Sequence, residues 1–102
     1  MAVKVIGTGS YLPKNIADNQ FLSTIVDTND EWISQRTGIK ERHLSSGSKE
    51  GTSFMAIEAA KAALDNAGIP PEDLDLIIVA TVSADTYVPS TSCQVQGEIG
   101  AI

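Results

Sequence analysis

The run from Thr52 to Ala67, with the stop and the apolar stretch that follow it, constrains this chain most. Met55, Ala56, Ala59, Ala60, Ala63, Leu64 and Ala67 fall on one face of a 3.6-residue period, which predicts an amphipathic helix. Gly68 supplies a residue free to turn left-handed at the helix end, and Pro70-Pro71 blocks continuation. So many alanines on one face imply close approach to another layer of backbone. The next segment, Asp75 to Val82, contains Leu-Ile-Ile-Val-Ala-Thr-Val without polar alternation. That pattern predicts a strand buried on both faces. A helix followed directly by a buried strand is half of a βαβ layer, so the fold class expected is α/β.

At 102 residues the chain holds one domain at most. Thirteen acidic residues against seven basic ones give a net charge of −6, which opposes non-specific nucleic-acid binding and attraction to an anionic membrane. No apolar run reaches transmembrane length. The start, Met1-Ala2-Val3-Lys4-Val5-Ile6-Gly7, lacks the basic region and apolar core of a signal peptide. A single cysteine forms no internal disulfide. A cytoplasmic location is the expectation.

The other elements follow from local pattern. Val3 to Gly9 has partial alternation of β-formers ending in glycines, which predicts a strand leaving through a tight turn. Gly7-Thr8-Gly9 fails as a phosphate loop, because no third glycine follows and Pro13 interrupts before any helix. Pro13 to Ala17 reads as loop and Asn19 to Val26 as a short helix, with Phe21, Leu22, Ile25 and Val26 as its apolar stripe. Ile39 to Leu44 reads as an exposed or edge strand, Ser45 to Gly51 as a surface loop, and Ser83 to Pro89 as another. Ser90 or Ser92 is placed to cap a final helix ending at Ile99, with Gly100 as its stop.

The chemistry-bearing residues concentrate between Asp27 and His43. Thr28 and Glu31 have capping-box spacing, and Gly38 sits where a helix C-terminus favours a left-handed residue. Thr28, Trp32 and Arg36 lie four apart and therefore along one helix face. A hydroxyl, a flat ring and a guanidinium in line suit a flat anionic ligand such as a nucleotide. The competing reading makes Trp32 a core anchor and Arg36 a cap for the last carbonyls. The carboxylates of Asp27, Asp30 and Glu31 are explained by the helix dipole rather than by acid–base work or a cation. Cys93 is the one candidate nucleophile and His43 the one base of suitable pKa, but a lone helical cysteine is more often a small buried hydrophobe. No second histidine or cysteine gives metal-ligand spacing, so no metal is expected.

Several blocks together resemble one family. Ile6-Gly7-Thr8-Gly9-Ser10-Tyr11-Leu12-Pro13, Asp27-Thr28-Asn29-Asp30-Glu31-Trp32-Ile33, Arg36-Thr37-Gly38-Ile39 and Glu41-Arg42-His43 are similar to the opening of the β-ketoacyl-acyl-carrier-protein synthase III family. So are Ala80-Thr81-Val82-Ser83 and Pro89-Ser90-Thr91. The similarity spans the whole chain. It implies the N-terminal part of a thiolase-like layered αβαβα fold over residues 1–102, in a homodimer. It also implies the condensation that starts fatty-acid synthesis: an acyl group from acyl-CoA is loaded onto a cysteine and joined, with loss of carbon dioxide, to malonyl-acyl-carrier protein. Coenzyme A enters as a thioester substrate, and no resident cofactor is implied.

By the same resemblance, Trp32 and Arg36 hold the adenine and phosphate end of CoA, and Thr28 lines that pocket. Val88, with Tyr87 as the fallback, reaches the acyl pocket of the partner subunit. Cys93 does not match the family's nucleophile, which the resemblance places beyond residue 102 with the histidine and asparagine that polarise the thioester. No catalytic residue is therefore expected here, and the chain alone is expected to be inactive. The basic patch that docks the acidic carrier protein is also expected beyond residue 102. The alternative is a free-standing, non-catalytic α/β module that binds a nucleotide or a partner protein. Exposed apolar strand and helix faces would favour the first reading, and a closed soluble monomer the second.

Overall fold

The structure is a computed structural model that describes residues 2–101. The chain divides into two compact units, Leu12–Ser46 on one hand and Met1–Tyr11 with Gly47–Ile102 on the other.

The Leu12–Ser46 unit is built on a short antiparallel ladder. Strand β1 (Asn15–Asp18) pairs with β2 (Glu41–Leu44), Asn15 opposite Leu44 and Asp18 opposite Glu41. The β2 expectation is met, but β1 falls where the polar, proline-led sequence predicted loop. Its strand character comes from the ladder rather than from its own side chains. Helix α1 (Asn19–Ser23) is capped by Asp18, whose Oδ1 accepts from the Phe21 N–H at 2.8 Å. It ends three residues before the expected Val26. The amides of Ile25 and Val26 fold back onto the Leu22 carbonyl at 3.1 and 3.0 Å, and Ile25 and Val26 stand exposed. Helix α2 (Asp30–Thr37) ends on Gly38 at φ 72°, as expected. Pro13, Ala17 and Ile33 are the buried apolar residues described in this unit.

The second unit centres on helix α3 (Thr52–Ala67), which spans the range its periodicity predicts and ends on Gly68 at φ 72°. It packs against helix α4 (Thr91–Ile99), whose N-cap is Ser90 and whose stop is Gly100. Val95 of α4 is 2% exposed and is the buried apolar centre of the unit. The alanine face of α3 receives residues 7–9. A Cβ on Gly7 would sit 2.7 Å from Ala67 Cβ, and one on Gly9 would sit 2.3 Å from Ala63 N and 2.5 Å from Ala59 O. The close approach implied by the alanines is thus made by these two glycines. Neither glycine has a positive φ, so they serve contact rather than a tight turn. The Thr8 N–H adds a hydrogen bond to Asn66 Oδ1 at 3.0 Å. At the other end of α3, Tyr11 packs edge-on to Phe54 with centroids 5.5 Å apart, and its hydroxyl donates to the Glu50 carboxylate. That bond raises the Tyr11 pKa above the ordinary phenol value.

Two strand expectations are corrected. Residues 3–9 and 75–82 make no strand pairing among the described residues. Residues 77–80 alternate instead: Ile77 and Val79 are half-covered, while Ile78 is 82% exposed. The stretch expected to be buried on both faces is therefore covered on one. Apolar content made it read as a central strand, but a strand exists only with a hydrogen-bonded neighbour on at least one edge.

Candidate functional site

Helix α2 begins one residue later than its capping-box spacing suggested. Asn29, not Thr28, is the N-cap, and its Oδ1 accepts from the Trp32 N–H at 2.8 Å. Asparagine is the stronger cap of the two, and the shift releases Thr28 from the backbone. Thr28 is half-buried, and its Oγ1 has no hydrogen-bond partner among the described residues. Glu31 does not close a capping box; it accepts a long 3.5 Å contact from Gln35 Nε2.

Thr28 and Trp32 line one cleft of about 390 Å³ with Leu22, Val26, Asp27, Asn29 and Ile33. Trp32 is 53% exposed, so its ring is not enclosed by the side chains of this unit. Arg36 does not line the cleft. Its Cζ stands 5.2 Å from the centroid of the Trp32 ring, a cation–π contact. Trp32 and Arg36 thus share one face of α2, while Thr28, just outside the helix, walls the cavity beside Trp32.

A polar hub that the sequence did not single out supports this helix. Asn19 is 2% exposed. Its Nδ2 donates to Asp30 Oδ1 at 2.7 Å and to the Ile39 carbonyl at 2.8 Å, and its Oδ1 accepts from Arg42 Nη2 at 2.6 Å. Arg42 Nη1 also donates to the Ala17 carbonyl at 3.0 Å. The bond from Asn19, followed by one from Ser34 Oγ, holds the Asp30 carboxyl below the ordinary aspartate range. One buried amide thus joins the start of α1, the first turn of α2 and strand β2. Asp30 is structural, as the dipole argument expected.

The remaining candidates lie apart from any such cluster. His43 donates from Nδ1 to the Pro13 carbonyl at 2.6 Å. Cys93 is exposed on α4 rather than buried, and its backbone N–H donates to Ser90 Oγ at 3.3 Å. Tyr87 and Val88 stand exposed in the loop before α4, with a cis bond between Val88 and Pro89. No group of three metal-ligating side chains exists among the described residues. No helix among the described residues is long and apolar enough to cross a membrane.

The fold matches a part, about 30%, of solved thiolase-like condensing enzymes. A 3-oxoacyl-[acyl-carrier-protein] synthase III from Aquifex aeolicus superposes at TM-score 0.89 with 53% identity, over 96% of this chain and 31% of that one. The priming β-ketosynthase of the R1128 polyketide pathway superposes at TM-score 0.90 with 35% identity, over 96% and 29%. In sequence, the chain is a homologue of the β-ketoacyl-acyl-carrier-protein synthase III enzymes. It is 63% identical over 100 residues to that of Clostridium botulinum strain Langeland and 55% identical to that of Clostridium acetobutylicum. The chain spans about 30% of the length of these relatives and 98% of itself is matched. No family model matches the chain.

Proposed function

We propose that this chain is the CoA-entrance segment of an acyltransferase that condenses an acyl-CoA primer with malonyl-acyl-carrier protein, releasing carbon dioxide. The observation that carries the reading is the exposed Trp32 ring beside the 390 Å³ cleft, with the Arg36 guanidinium laid on it. An exposed cation–π contact is worth about 0.5–1 kcal/mol. Stacking a base on an aromatic ring is worth about 1–3 kcal/mol. An incoming adenine therefore wins a face of Trp32 from Arg36, and the freed guanidinium gains a phosphate partner in exchange. Thr28 lines the same cleft, and its buried, unpartnered Oγ1 reaches a ligand there only after its side chain rotates toward the cavity.

The bare face of residues 76–82 supports a segment of a larger sheet over a closed module, since Leu76, Ile78 and Val82 are all exposed. Val88, or Tyr87 beside it, forms a wall of the acyl pocket of the partner subunit in a cytoplasmic homodimer. Covalent chemistry is assigned to residues outside these 102 positions, and no resident cofactor is required. In an intact synthase III carrying this segment, Trp32→Ala raises KM for the acyl-CoA about tenfold, within the range of a lost stacking contact. KM for malonyl-acyl-carrier protein, which brings no adenine, stays unchanged. Equal effects on both substrates would contradict the assignment.

A further inference from the structure

The loop that carries Tyr87 and Val88 is tied at its start to the N-terminus of α3. Asp85 Oδ1 accepts from the Thr52 N–H at 2.8 Å, and Asp85 Oδ2 accepts from the Ser53 N–H at 3.2 Å and from the Ser53 hydroxyl. The Thr52 hydroxyl donates to the Ser83 carbonyl at 2.7 Å, two residues before Asp85. Helix α3 has no cap of its own, because the N-cap position is Gly51 and makes no side-chain hydrogen bond. A Cβ at Gly51 would lie 2.6 Å from Asp85 Oδ1, so a side chain there would have to displace the Asp85 carboxylate. The far end of the loop is held separately: Thr86 Oγ1 donates to the Pro89 carbonyl at 3.0 Å, and Ser90 caps α4.

From this we infer that Asp85 is a positioning residue for primer selection: by capping α3 across 33 positions of sequence it sets where the Tyr87–Val88 tip stands. The inference rests on the proposed role of Val88 as an acyl-pocket wall. Asp85 does not touch the substrate; it acts through the loop. Its two oxygens satisfy α3 amide donors that otherwise face water, so releasing the loop uncaps the helix, and the two events are coupled.

The test uses an intact synthase III carrying this segment and compares kcat/KM for a branched primer with that for acetyl-CoA. In Asp85→Ala the ratio moves by about tenfold, the low end of what a methylene-sized change in a pocket commands. Asp85→Asn retains one acceptor and restores most of the wild-type ratio. Gly68→Ala destabilises the same helix from its other end, at φ 72°, and leaves the ratio unchanged. Amide exchange at Thr52 and Ser53 accelerates in Asp85→Ala. A ratio unmoved by Asp85→Ala while Val88→Phe shifts it overturns the inference and leaves the pocket-wall reading standing. A ratio unmoved by Val88→Phe removes that reading and the specificity role together. Equal shifts in Asp85→Ala and Gly68→Ala, or unchanged exchange at Thr52 and Ser53, also overturn it.

Discussion

In Leu12–Ser46 the most enclosed side chain is an amide, Asn19, with four hydrogen-bonding groups around it counting Arg42, Asp30, Ile39 and, through Arg42, Ala17. In the other unit the most enclosed side chain is Val95, while Ile78 and Val82 stand bare to water. The first unit is tied together by directional bonds and buries little apolar surface, leaving Ile25, Val26 and Trp32 exposed. The second is shaped by steric fit of glycines on alanines and leaves a sheet-like face open. Hydrogen bonds locate α2 and its ring; steric fit seats residues 7–9 on α3.

The strongest way to break this contrast is Gly9→Ala. The new methyl meets backbone atoms of Ala63 and Ala59, which cannot rotate aside, so the expected loss is about 3 kcal/mol, the upper end for overpacking. A urea melt of the chain with an unchanged midpoint would show that residues 7–9 do not depend on contact with α3. Next comes Asn19→Ala, expected to cost about 2 kcal/mol because it strips partners from Asp30, Arg42 and the Ile39 carbonyl. Exchange protection should fall across β1, β2 and the first turn of α2 and remain in α3. Uniform loss through both units would erase the distinction between them.

Much of this contrast is legible in the sequence where information is local. Periodicity places α3, and glycines place the ends of α2, α3 and α4, because a left-handed terminus needs no distant partner. Legibility fails where partners are remote. β1 is a strand only through β2, residues 75–82 are not one for lack of a neighbour, and Asp85 caps a helix 33 positions upstream. The Thr28 cap failed for a subtler reason. Thr28 and Asn29 both satisfy the cap composition, and a one-residue shift between them is invisible to spacing. Trp32 and Arg36 keep their four-residue interval within α2, whereas Thr28 lies outside the helix and meets Trp32 only as a wall of the same cleft.

The cap itself gives a smaller test. Asn29→Ala should cost about 1 kcal/mol, whereas Thr28→Ala should cost a few tenths at most, since its hydroxyl caps nothing. The reverse order would restore the capping box. The smallest effect expected is in pH dependence. Hydrogen bonds, first from Ser53 Oγ, hold the Asp85 carboxyl below its ordinary value. Its contribution to stability is therefore complete above the ordinary aspartate range near about pH 4 and is lost as pH falls below it. Asp85→Asn should flatten that acid limb of the stability profile, and an unaltered limb would assign it to other carboxylates.

The central claim is that the exposed face of α2 takes the adenine end of coenzyme A. It is tested most directly by titrating CoA into an intact synthase III carrying this segment and following fluorescence of Trp32, the single tryptophan of the segment, against Trp32→Phe. The account predicts saturable quenching that disappears in Trp32→Phe, and affinity lowered about tenfold in Arg36→Ala through loss of a charge-assisted phosphate contact. Binding with no change in Trp32 emission, and equal affinity in Trp32→Ala, would contradict it.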